Sequence, residues 1–387
     1  MKIAIFSHEY PPLNGGAGTY VNELSVALAS LGHSVRLVVG DTLDSRGDNV
    51  ANNYARDVGI KIDRYPWIYS SKLWFIKDIN LYKSILTKMV DIDLLIFANY
   101  TSHIVAHRVR QYIPTDYMII LHGDDIDYFC QRRRLKDRIM ISKKHMNNYF
   151  KGAQKIISVS KYLEKIFLSY MPELKSKSQI VLHGIRPPGG MVAGDLARCN
   201  KLLSQNSSFN EKSIILTYVS RFSAGKGQDL MIRVFKELIK YDSRYFLVFI
   251  GDGATKLSVE TLATQMNLTT RIFFTGSTPR MDVYNYLSMA SLNIFLSKRY
   301  GETFGIVNIE SMAVGTPVFA LETGGVPEAI DDGITGVILK DSDPVHIADQ
   351  IHSLLSDTDQ YKKMGENAQN VAYSYFNAQR MASETIN

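Results

Sequence analysis

The chain has 387 residues, of which 45% are hydrophobic and 21% charged, a composition that excludes disordered and fibrous proteins. This length exceeds one ordinary hydrophobic core and predicts two domains. No apolar run reaches 18 residues, so the sequence predicts no membrane-spanning helix. The two cysteines, Cys130 and Cys199, have no metal-ligand spacing, and we expect a cytoplasmic protein without a disulfide.

Charge is unevenly distributed along the chain. Residues 1–195 carry 26 Lys and Arg against 18 Asp and Glu, whereas the remaining residues carry 18 against 20. The formal net charge of +6 therefore comes from the first half. Such an excess indicates a negatively charged neighbour, which is a membrane surface, a nucleic acid or an anionic substrate.

The first half opens with a strand, a helix and a second strand. Lys2–Phe6 is an apolar strand rather than a signal peptide, Thr19–Leu31 has helical periodicity, and Ser34–Val39 is apolar again. This order predicts a parallel sheet with a ligand at the carboxyl ends of its strands. Gly15 and Gly16 in the first loop either let a phosphate approach the backbone or form a plain turn. Further strands are predicted at Leu94–Phe97, Met118–Leu121 and Lys155–Ser160.

His122 follows one of these strands, at the edge of the sheet where ligands bind. By position alone, it is either a ligand-contacting imidazole or a histidine whose hydrogen bonds the backbone satisfies. Asp124, Asp125 and Asp127 come next. Because clustered aspartates are more typical of a solvated turn than of a metal site, we predict no bound metal.

Two stretches of the first half have an unusual surface composition. Residues 130–151 carry eight Lys and Arg against one acid, and residues 65–82 combine aromatic side chains with lysines. Both suit an anionic bilayer surface; the alternative is a solvated helix face above buried aromatic side chains. Nucleic acid is a poorer partner, because the sequence has no binding motif and its second half is not basic.

The clearest break in the pattern falls at residues 187–212. A Pro-Pro-Gly-Gly sequence precedes a polar segment there, which predicts a linker and a domain boundary. The strand Ser213–Val219 restarts the alternation of strands and helices. A loop carrying Arg221 and Lys226 then leads into the helix Gln228–Tyr241. Two fixed cations at a helix N-terminus suit a diphosphate, although two exposed basic residues in a turn would look the same.

Later strands also end in glycine-rich loops. Gly251 follows the strand Tyr245–Ile250, and Gly276 and Ser277 follow the strand Arg271–Thr275. Two such halves joined by a linker would form a cleft, the ordinary place for a ligand that bridges them. The remaining predicted strands are Asn293–Ser297, Val318–Leu321 and Gly336–Leu339.

Two glutamates flank the start of a predicted helix. Glu302 lies on the strand-to-helix loop, Thr303 could cap the helix, and Glu310 lies more than one turn inside it. Taken alone, the pair also fits chance spacing or a carboxylate that offsets the helix dipole. The N–H groups that could receive an anion at this helix start belong to Phe304, Gly305 and Ile306.

In this order, the motifs resemble those of retaining nucleotide-sugar glycosyltransferases of the GT-B fold, in glycosyltransferase family 4 (group 1). The resemblance extends over nearly the whole chain. It rests on Gly15-Gly16, His122-Gly123, Ser220-Arg221-Phe222 with Lys226-Gly227, Gly251-Asp252-Gly253, Glu302 with Glu310, and Gly324-Gly325-Val326-Pro327-Glu328.

The resemblance implies an α/β protein with two Rossmann-like domains whose parallel sheets face each other across a cleft. The expected acceptor-binding domain spans residues 1–190, and the expected nucleotide-sugar-binding domain spans residues 191–367. The C-terminal helix, at about 368–387, is expected to pack back on the first domain.

The resemblance also implies roles for individual residues. Arg221 and Lys226 would hold the donor diphosphate, Glu310 the ribose hydroxyls and Glu302 the donor sugar, with His122 beside the reacting carbon. We assign catalytic roles to His122, Glu302, Arg221 and Lys226. The expected donor-binding residues are Gly15, Gly16, Arg221, Lys226, Gly251, Gly276, Ser277, Glu302, Thr303, Phe304, Gly305, Ile306 and Glu310.

The implied activity is transfer of a hexosyl group, with retention and without a metal or another cofactor, from a nucleotide diphosphate sugar. UDP is favoured over GDP. The acceptor would be a glycan or lipid-linked glycan of surface polysaccharide, lipopolysaccharide or capsule synthesis, and the basic first half suggests a peripheral position on the inner membrane face. A sugar-nucleotide 2-epimerase and a non-catalytic nucleotide-binding protein are the alternatives, and the oligomeric state is not indicated.

Overall fold

The chain forms two compact α/β units. The first comprises Met1–Gly184 with Asn377–Asn387, and the second comprises Ile185–Phe376. Among the described residues, none of the helices combines the length and apolarity needed to cross a bilayer. The structure is a computed structural model that describes residues 1–11, 15–41, 58–66, 74–113, 115–126, 143–186, 188, 193–299 and 302–387.

The first unit is built on a seven-stranded parallel sheet in the order β3-β2-β1-β4-β5-β6-β7. Its central strands are buried along almost their whole length, as expected for a parallel sheet with helices on both faces. The predicted parallel sheet is confirmed. The strands are β1 Lys2–Ser7, β2 Ser34–Asp41, β3 Lys61–Pro66, β4 Leu94–Phe97, β5 Tyr117–Leu121, β6 Lys155–Ser158 and β7 Ser178–Ile180.

Helices connect these strands. The helix after β4 has a capping box, in which the Asn99 side chain accepts from the Ser102 N–H and the Ser102 hydroxyl accepts from the Asn99 N–H. The helices are α1 Gly16–Ser30, α2 Trp74–Leu86, α3 Tyr100–Val109, α4 Lys143–Gly152 and α5 Lys161–Tyr170. Shorter helical turns lie at Arg110–Tyr112, Asp124–Ile126 and Pro172–Lys177.

The second unit repeats this architecture with a six-stranded parallel sheet in the order β10-β9-β8-β11-β12-β13. Its strands are β8 Ile214–Val219, β9 Tyr245–Ile250, β10 Ile272–Phe274, β11 Leu292–Phe295, β12 Val318–Leu321 and β13 Gly336–Leu339. Its helices are α6 Ala193–Leu203, α7 Gln228–Tyr241, α8 Lys256–Gln265, α9 Arg280–Met289, α10 Ile306–Ala313, α11 Pro344–Ser356 and α12 Thr358–Ser374, with short turns at Thr269–Arg271 and Val326–Ala329.

Helix α6 lies within the stretch predicted as a linker. Its residues Cys199 and Leu203 are fully buried and pack in one cluster with Phe246 and Tyr286. The polar composition of 187–212 therefore does not mark a linker over residues 193–203, because one face of that segment is apolar. Cys199 is a free, buried thiol, and Cys130 lies outside the described residues.

The C-terminal segment divides between the two units. Helix α12 packs on α10 and α11 in the second unit, whereas the last helix, α13 Ala378–Ile386, packs on α1 in the first. The chain therefore rejoins the first unit at Asn377, and not near residue 368 as the sequence predicted. Gly184 permits the close approach there, because a Cβ at that position would lie 2.4 Å from the Asn377 carbonyl oxygen. In α13, Arg380 donates to the Leu182 carbonyl at 2.9 Å.

Candidate functional site

Four loops at the carboxyl ends of neighbouring strands carry most of the candidate residues. In the loop after β8, the Phe222 N–H donates to the Asp252 carbonyl of the loop after β9, at 2.9 Å. In the loop after β11, the Lys298 N–H donates to the Gly225 carbonyl of the β8 loop at 2.8 Å. In the loop after β12, the Gly325 N–H donates to the Glu302 carbonyl of the β11 loop at 3.0 Å. These bonds join separate sequence motifs into one surface of the second unit.

Glycine is required where these loops touch. Gly227 has a φ of +77°, and a Cβ there would lie 2.0 Å from the Leu296 carbonyl oxygen. Gly251 has a φ of +132°, and a Cβ there would lie 2.1 Å from the Ser220 carbonyl oxygen. Both positions combine a backbone conformation that favours glycine with contact to another main chain. The glycines thus serve loop packing whatever the loops bind.

Lys226 and Glu302 form an ion pair at the centre of this surface. The distance from Lys226 Nζ to Glu302 Oε2 is 2.6 Å, and the two side chains are only 13% and 12% exposed. The Ser297 hydroxyl donates to the same carboxylate oxygen at 2.9 Å. Two residues that were predicted to bind different parts of a donor are therefore already in contact.

Tyr218 holds the loop that carries Lys226. Its hydroxyl donates to the Lys226 carbonyl and accepts from the Leu296 N–H at 3.1 Å. Burial raises the pKa of this phenol, so the group stays neutral. Tyr218 therefore connects the β8 and β11 loops through one buried hydroxyl.

Glu310 is paired in the same way with a residue that the sequence did not suggest. Arg280 Nε lies 2.9 Å from Glu310 Oε1, and Arg280 Nη2 donates to the Tyr284 hydroxyl at 3.1 Å. Arg280 is the first residue of α9 and directly follows the loop that contains Gly276 and Ser277. Both glutamates of the predicted pair thus face a cation, which compensates their buried charge.

Arg221 differs from Lys226. Its side chain is exposed, and it has no hydrogen bond or ion pair with the residues that the structure describes. Its backbone is nevertheless fixed, because Gln228 Nε2 donates to the Arg221 carbonyl at 2.9 Å and to the Ser220 hydroxyl at 2.9 Å. A guanidinium on a fixed backbone is available for an anion.

The start of helix α10 differs from the prediction in one respect. Thr303 does not cap the helix; the cap is Gly305 in the left-handed conformation, with a φ of +79°, and the helix begins at Ile306. The Phe304 side chain is buried, with its ring centroid 5.8 Å from that of Phe376. The helix start follows Glu302 closely, as the sequence predicted, but a glycine rather than a side chain forms the turn.

His122 lies in the first unit, after β5. Its backbone N–H donates to Asp125 Oδ2 at 2.5 Å, and its ring meets Tyr20 of α1 edge-on with centroids 4.9 Å apart. Burial lowers the pKa of His122 to about 4, so the imidazole is neutral near pH 7. Asp125 is buried rather than solvated, and its Oδ1 lies 3.5 Å from His103 Nε2. Asp127 and the Asp124 side chain lie outside the described residues.

Gly15 lies at the start of α1, as its N-cap. The Glu9 carboxylate occupies the space beside it, since a Cβ at Gly15 would lie 2.3 Å from Glu9 Oε2. Gly16 is the first residue of the helix. The missing side chain at Gly15 therefore admits a carboxylate of the chain itself.

The predicted membrane-binding stretches lie mostly outside the described residues, which exclude 67–73 and 127–142 and the side chains of 74–78 and 143–145. Tyr82, from the aromatic stretch, is fully buried and packs on Phe6 with ring centroids 5.2 Å apart. That tyrosine belongs to the core.

Comparison with known structures defines the class. A sucrose-phosphate synthase from Thermosynechococcus elongatus matches 100% of this chain and 97% of its own, at a TM-score of 0.78 and 22% identity. Anabaena Alr3699/HepE in complex with UDP-glucose matches 100% of this chain and 98% of its own, at a TM-score of 0.76 and 17% identity. These are GT-B glycosyltransferases, so the two parallel-sheet units have the GT-B fold.

The sequence comparisons define the family. Residues 14–187 match the model of Glycosyltransferase Family 4, and residues 200–371 match that of Glycosyl transferases group 1. The chain belongs to the group 1 glycosyltransferases of family 4, which transfer sugars from nucleotide sugars. A relative of full length is the N-acetyl-alpha-D-glucosaminyl L-malate synthase of Bacillus anthracis, with 24% identity over 99% of this chain and 96% of the relative. The D-inositol 3-phosphate glycosyltransferase of Corynebacterium efficiens is 32% identical over 40% of this chain and 37% of its own.

Proposed function

We propose that the protein is a retaining, metal-independent hexosyltransferase that uses a UDP-sugar and a glycan or lipid-linked glycan acceptor. The observation that carries this proposal is the joined loop surface of the second unit. There, two glutamates whose side chains are only 12% and 11% exposed each face a cation, and Arg221 extends from a fixed backbone toward solvent. UDP is favoured because Anabaena Alr3699/HepE, which shares the fold, has been solved with UDP and with UDP-glucose.

The charge balance of the site explains how acids and a diphosphate can coexist. A donor diphosphate would be repelled by uncompensated Glu302 and Glu310. Because Lys226 and Arg280 neutralise them, Arg221 adds an uncompensated positive charge to the surface. Opposite charge within about 4–6 Å favours the anionic form of a bound group. The site therefore combines acceptors for hydroxyl groups with net attraction for phosphate.

The proposed mechanism follows from where charge develops. Cleavage of the bond between sugar and diphosphate places negative charge on the leaving phosphate and positive charge on the sugar. Arg221, Lys226 and the N–H groups at the α10 start would stabilise the leaving group most when its charge is complete. Removing one such donor costs roughly 3 kcal/mol, about a hundredfold in rate. Side-chain cations in this position can perform the role that a divalent metal performs elsewhere.

Retention implies that the acceptor approaches on the face of the leaving group, whose phosphate then assists deprotonation of the attacking hydroxyl. Glu302 is not assigned as a covalent nucleophile, since glycosidase chemistry needs two acids flanking one bond and Glu310 is assigned to the ribose. His122, in the first unit, would contribute a neutral imidazole beside the sugar.

A donor screen tests the proposal. The protein is incubated without metal with UDP-, GDP-, ADP- and dTDP-sugars, and release of nucleoside diphosphate is followed, with Glu310→Ala and Lys226→Ala as site variants. Slow release from a UDP-sugar that both variants lose is the expected result. Release from a GDP-sugar alone would contradict the UDP assignment, and nucleotide binding without transfer to any acceptor would indicate a non-catalytic protein.

We also propose that the acceptor is presented at an anionic membrane surface, as in the synthesis of lipopolysaccharide or capsule at the inner membrane face. The excess of basic residues in 1–195 supports this. Co-sedimentation with vesicles tests it: more protein should pellet with vesicles containing anionic lipid than with neutral vesicles, and the difference should shrink at high salt. Equal recovery with both would contradict the proposal.

A further inference from the structure

The Glu302 carboxylate is asymmetric. Lys226 Nζ, at 2.6 Å, and the Ser297 hydroxyl, at 2.9 Å, both contact Oε2. The other oxygen, Oε1, has no hydrogen bond or ion pair with the residues that the structure describes. The carboxylate is only 12% exposed, and Oε1 is the oxygen that its described partners leave open to water or to a ligand.

The two donors to Oε2 are themselves fixed. Ser297 follows β11, is 1% exposed, and accepts from the Arg299 N–H at 3.4 Å. The backbone of Lys226 is held by the Tyr218 hydroxyl, and its ammonium group lies 5.8 Å from the centre of the Phe295 ring. Rotation of the carboxylate would break both bonds to Oε2. The direction in which Oε1 points is thus set before any donor binds.

We propose that Ser297 is a positioning residue for donor-sugar selectivity. With Lys226, it commits Oε2 of Glu302 to the protein, so that Oε1 alone is left to accept from the sugar, and we expect one hydroxyl to be its main donor. This inference rests on the proposed function, which places the donor sugar at Glu302. A site built to accept a hydrogen bond from one hydroxyl discriminates strongly against an analogue that lacks it.

Binding of deoxy sugars tests the inference. The ligands are UDP, UDP-glucose and the four UDP-glucose analogues that each lack one of the 2-, 3-, 4- or 6-hydroxyls, with affinities measured by calorimetry. In the wild-type protein, loss of one particular hydroxyl should weaken binding about tenfold or more, the usual effect of a hydrogen bond to a charged group. The other three analogues should bind within about threefold of UDP-glucose.

Ser297→Ala should change this pattern in one way. The affinity for UDP should stay within about twofold, because the described hydrogen bonds of the serine hydroxyl go to Glu302 and Arg299, which we do not assign to UDP. The penalty for the critical hydroxyl should fall below about threefold. Ser297→Thr, which keeps the hydroxyl group, should restore the penalty. Ser311→Ala is the matched control: Ser311 is equally buried in the same unit, but its hydroxyl donates to the Thr316 carbonyl.

Several results would overturn the inference. A wild-type penalty at two hydroxyls, or at none, would show that Oε1 is not a single committed acceptor. An unchanged penalty in Ser297→Ala would show that the serine does not position Glu302, and equal losses in Ser297→Ala and Ser311→Ala would indicate general destabilisation. A wild-type protein that binds none of these nucleotides would instead contradict the proposed function.

Discussion

The two units share a parallel-sheet architecture but build their candidate sites from opposite chemistry. In the first unit, His122 is buried beside the neutral side chains of His103 and Tyr20, and its backbone N–H donates to the buried Asp125 carboxylate. In the second, charges are paired: Lys226 with Glu302, and Arg280 with Glu310. One fold therefore supports two kinds of site, because the loops at the strand ends, and not the sheet, supply the chemistry.

The difference matters for what each unit can bind and tolerate. Paired charges hold both glutamates in place and leave the unpaired Arg221 to attract an anion, which suits a nucleoside diphosphate. Buried neutral imidazoles offer hydrogen bonds without charge, but they resist protonation because a buried charge is costly. We therefore expect the second unit to respond to loss of an ion-pair partner and the first to respond to acid.

The largest effect should follow from Lys226→Ala. It removes a cation from the leaving group and leaves the nearly buried Glu302 without its ion-pair partner, so turnover should fall by about a hundredfold or more. Because the pair is part-buried, the loss of unfolding free energy should be somewhat smaller than the roughly 3–5 kcal/mol of a fully buried pair. Initial rates and urea unfolding measure the two effects.

The control for this variant is Lys240→Ala, which breaks the exposed Lys240–Glu237 pair of the same unit. It should change stability by less than about 1 kcal/mol. Similar losses of stability in both variants would mean that the Lys226–Glu302 pair contributes no more than a surface pair. The second unit would then not depend on its paired charges as we propose.

Acid should unfold the first unit before the second. Burial lowers the pKa of His8 and His122 to about 4 and that of His103 to about 3, below the value of about 6.5 in an unfolded chain. The folded state then binds fewer protons, so this stability is fully present above pH 6.5 and is lost as the pH falls toward 4. With three histidines, the slope approaches roughly 4 kcal/mol per pH unit.

Hydrogen exchange at decreasing pH measures this effect unit by unit. Peptides from β4 and β5 should lose protection at a higher pH than peptides from β8 and β9. His346→Gln, which alters an exposed histidine of the second unit, should leave the profile unchanged. Earlier loss of protection in the second unit would refute the assignment of acid sensitivity to buried imidazoles.

Tyr218→Phe should have an intermediate effect. It removes the hydroxyl that joins the Lys226 carbonyl to the Leu296 N–H and leaves two buried backbone groups without this partner. We expect a loss of about 1–3 kcal/mol in unfolding free energy and weaker donor binding. A thermal melt and a UDP titration check both, and an unchanged affinity would show that the β8 and β11 loops are held without Tyr218.

Arg280→Ala should have the smallest effect of the series. Because Arg280 is half-buried, Glu310 can be partly solvated once the guanidinium is removed. We expect UDP affinity to fall about tenfold, with kcat less affected than KM, since the contact serves binding more than the reacting bond. Arg244→Ala, at an exposed ion pair with Asp242, is the control. A larger loss in kcat than in KM would place Arg280 nearer the chemistry.

Much of the fold was predictable from local pattern. The central strands β1, β8 and β9 could be predicted because both of their faces are buried, which requires nearly continuous apolar runs in the sequence. The edge strands β3 and β7 were missed because an edge strand with polar side chains has no such run. Helix α6 falls inside the predicted linker because Pro-Pro-Gly-Gly precedes it and polar residues follow it, although Cys199 and Leu203 are buried.

The sequence by itself determined that Arg221, Lys226 and Glu302 follow strands and that Glu310 lies inside the next helix, because strand, turn and helix signals are local. Tertiary structure alone decided the partners. Arg280 meets Glu310 across 30 positions, and Ser297 and Lys226 meet at one oxygen of Glu302. A contact between separate loops depends on how the helices and strands pack. The short-range periodicity of the sequence does not indicate which distant loops come together. The turn at Gly305 was likewise settled by packing, since Thr303 was an equally good local cap.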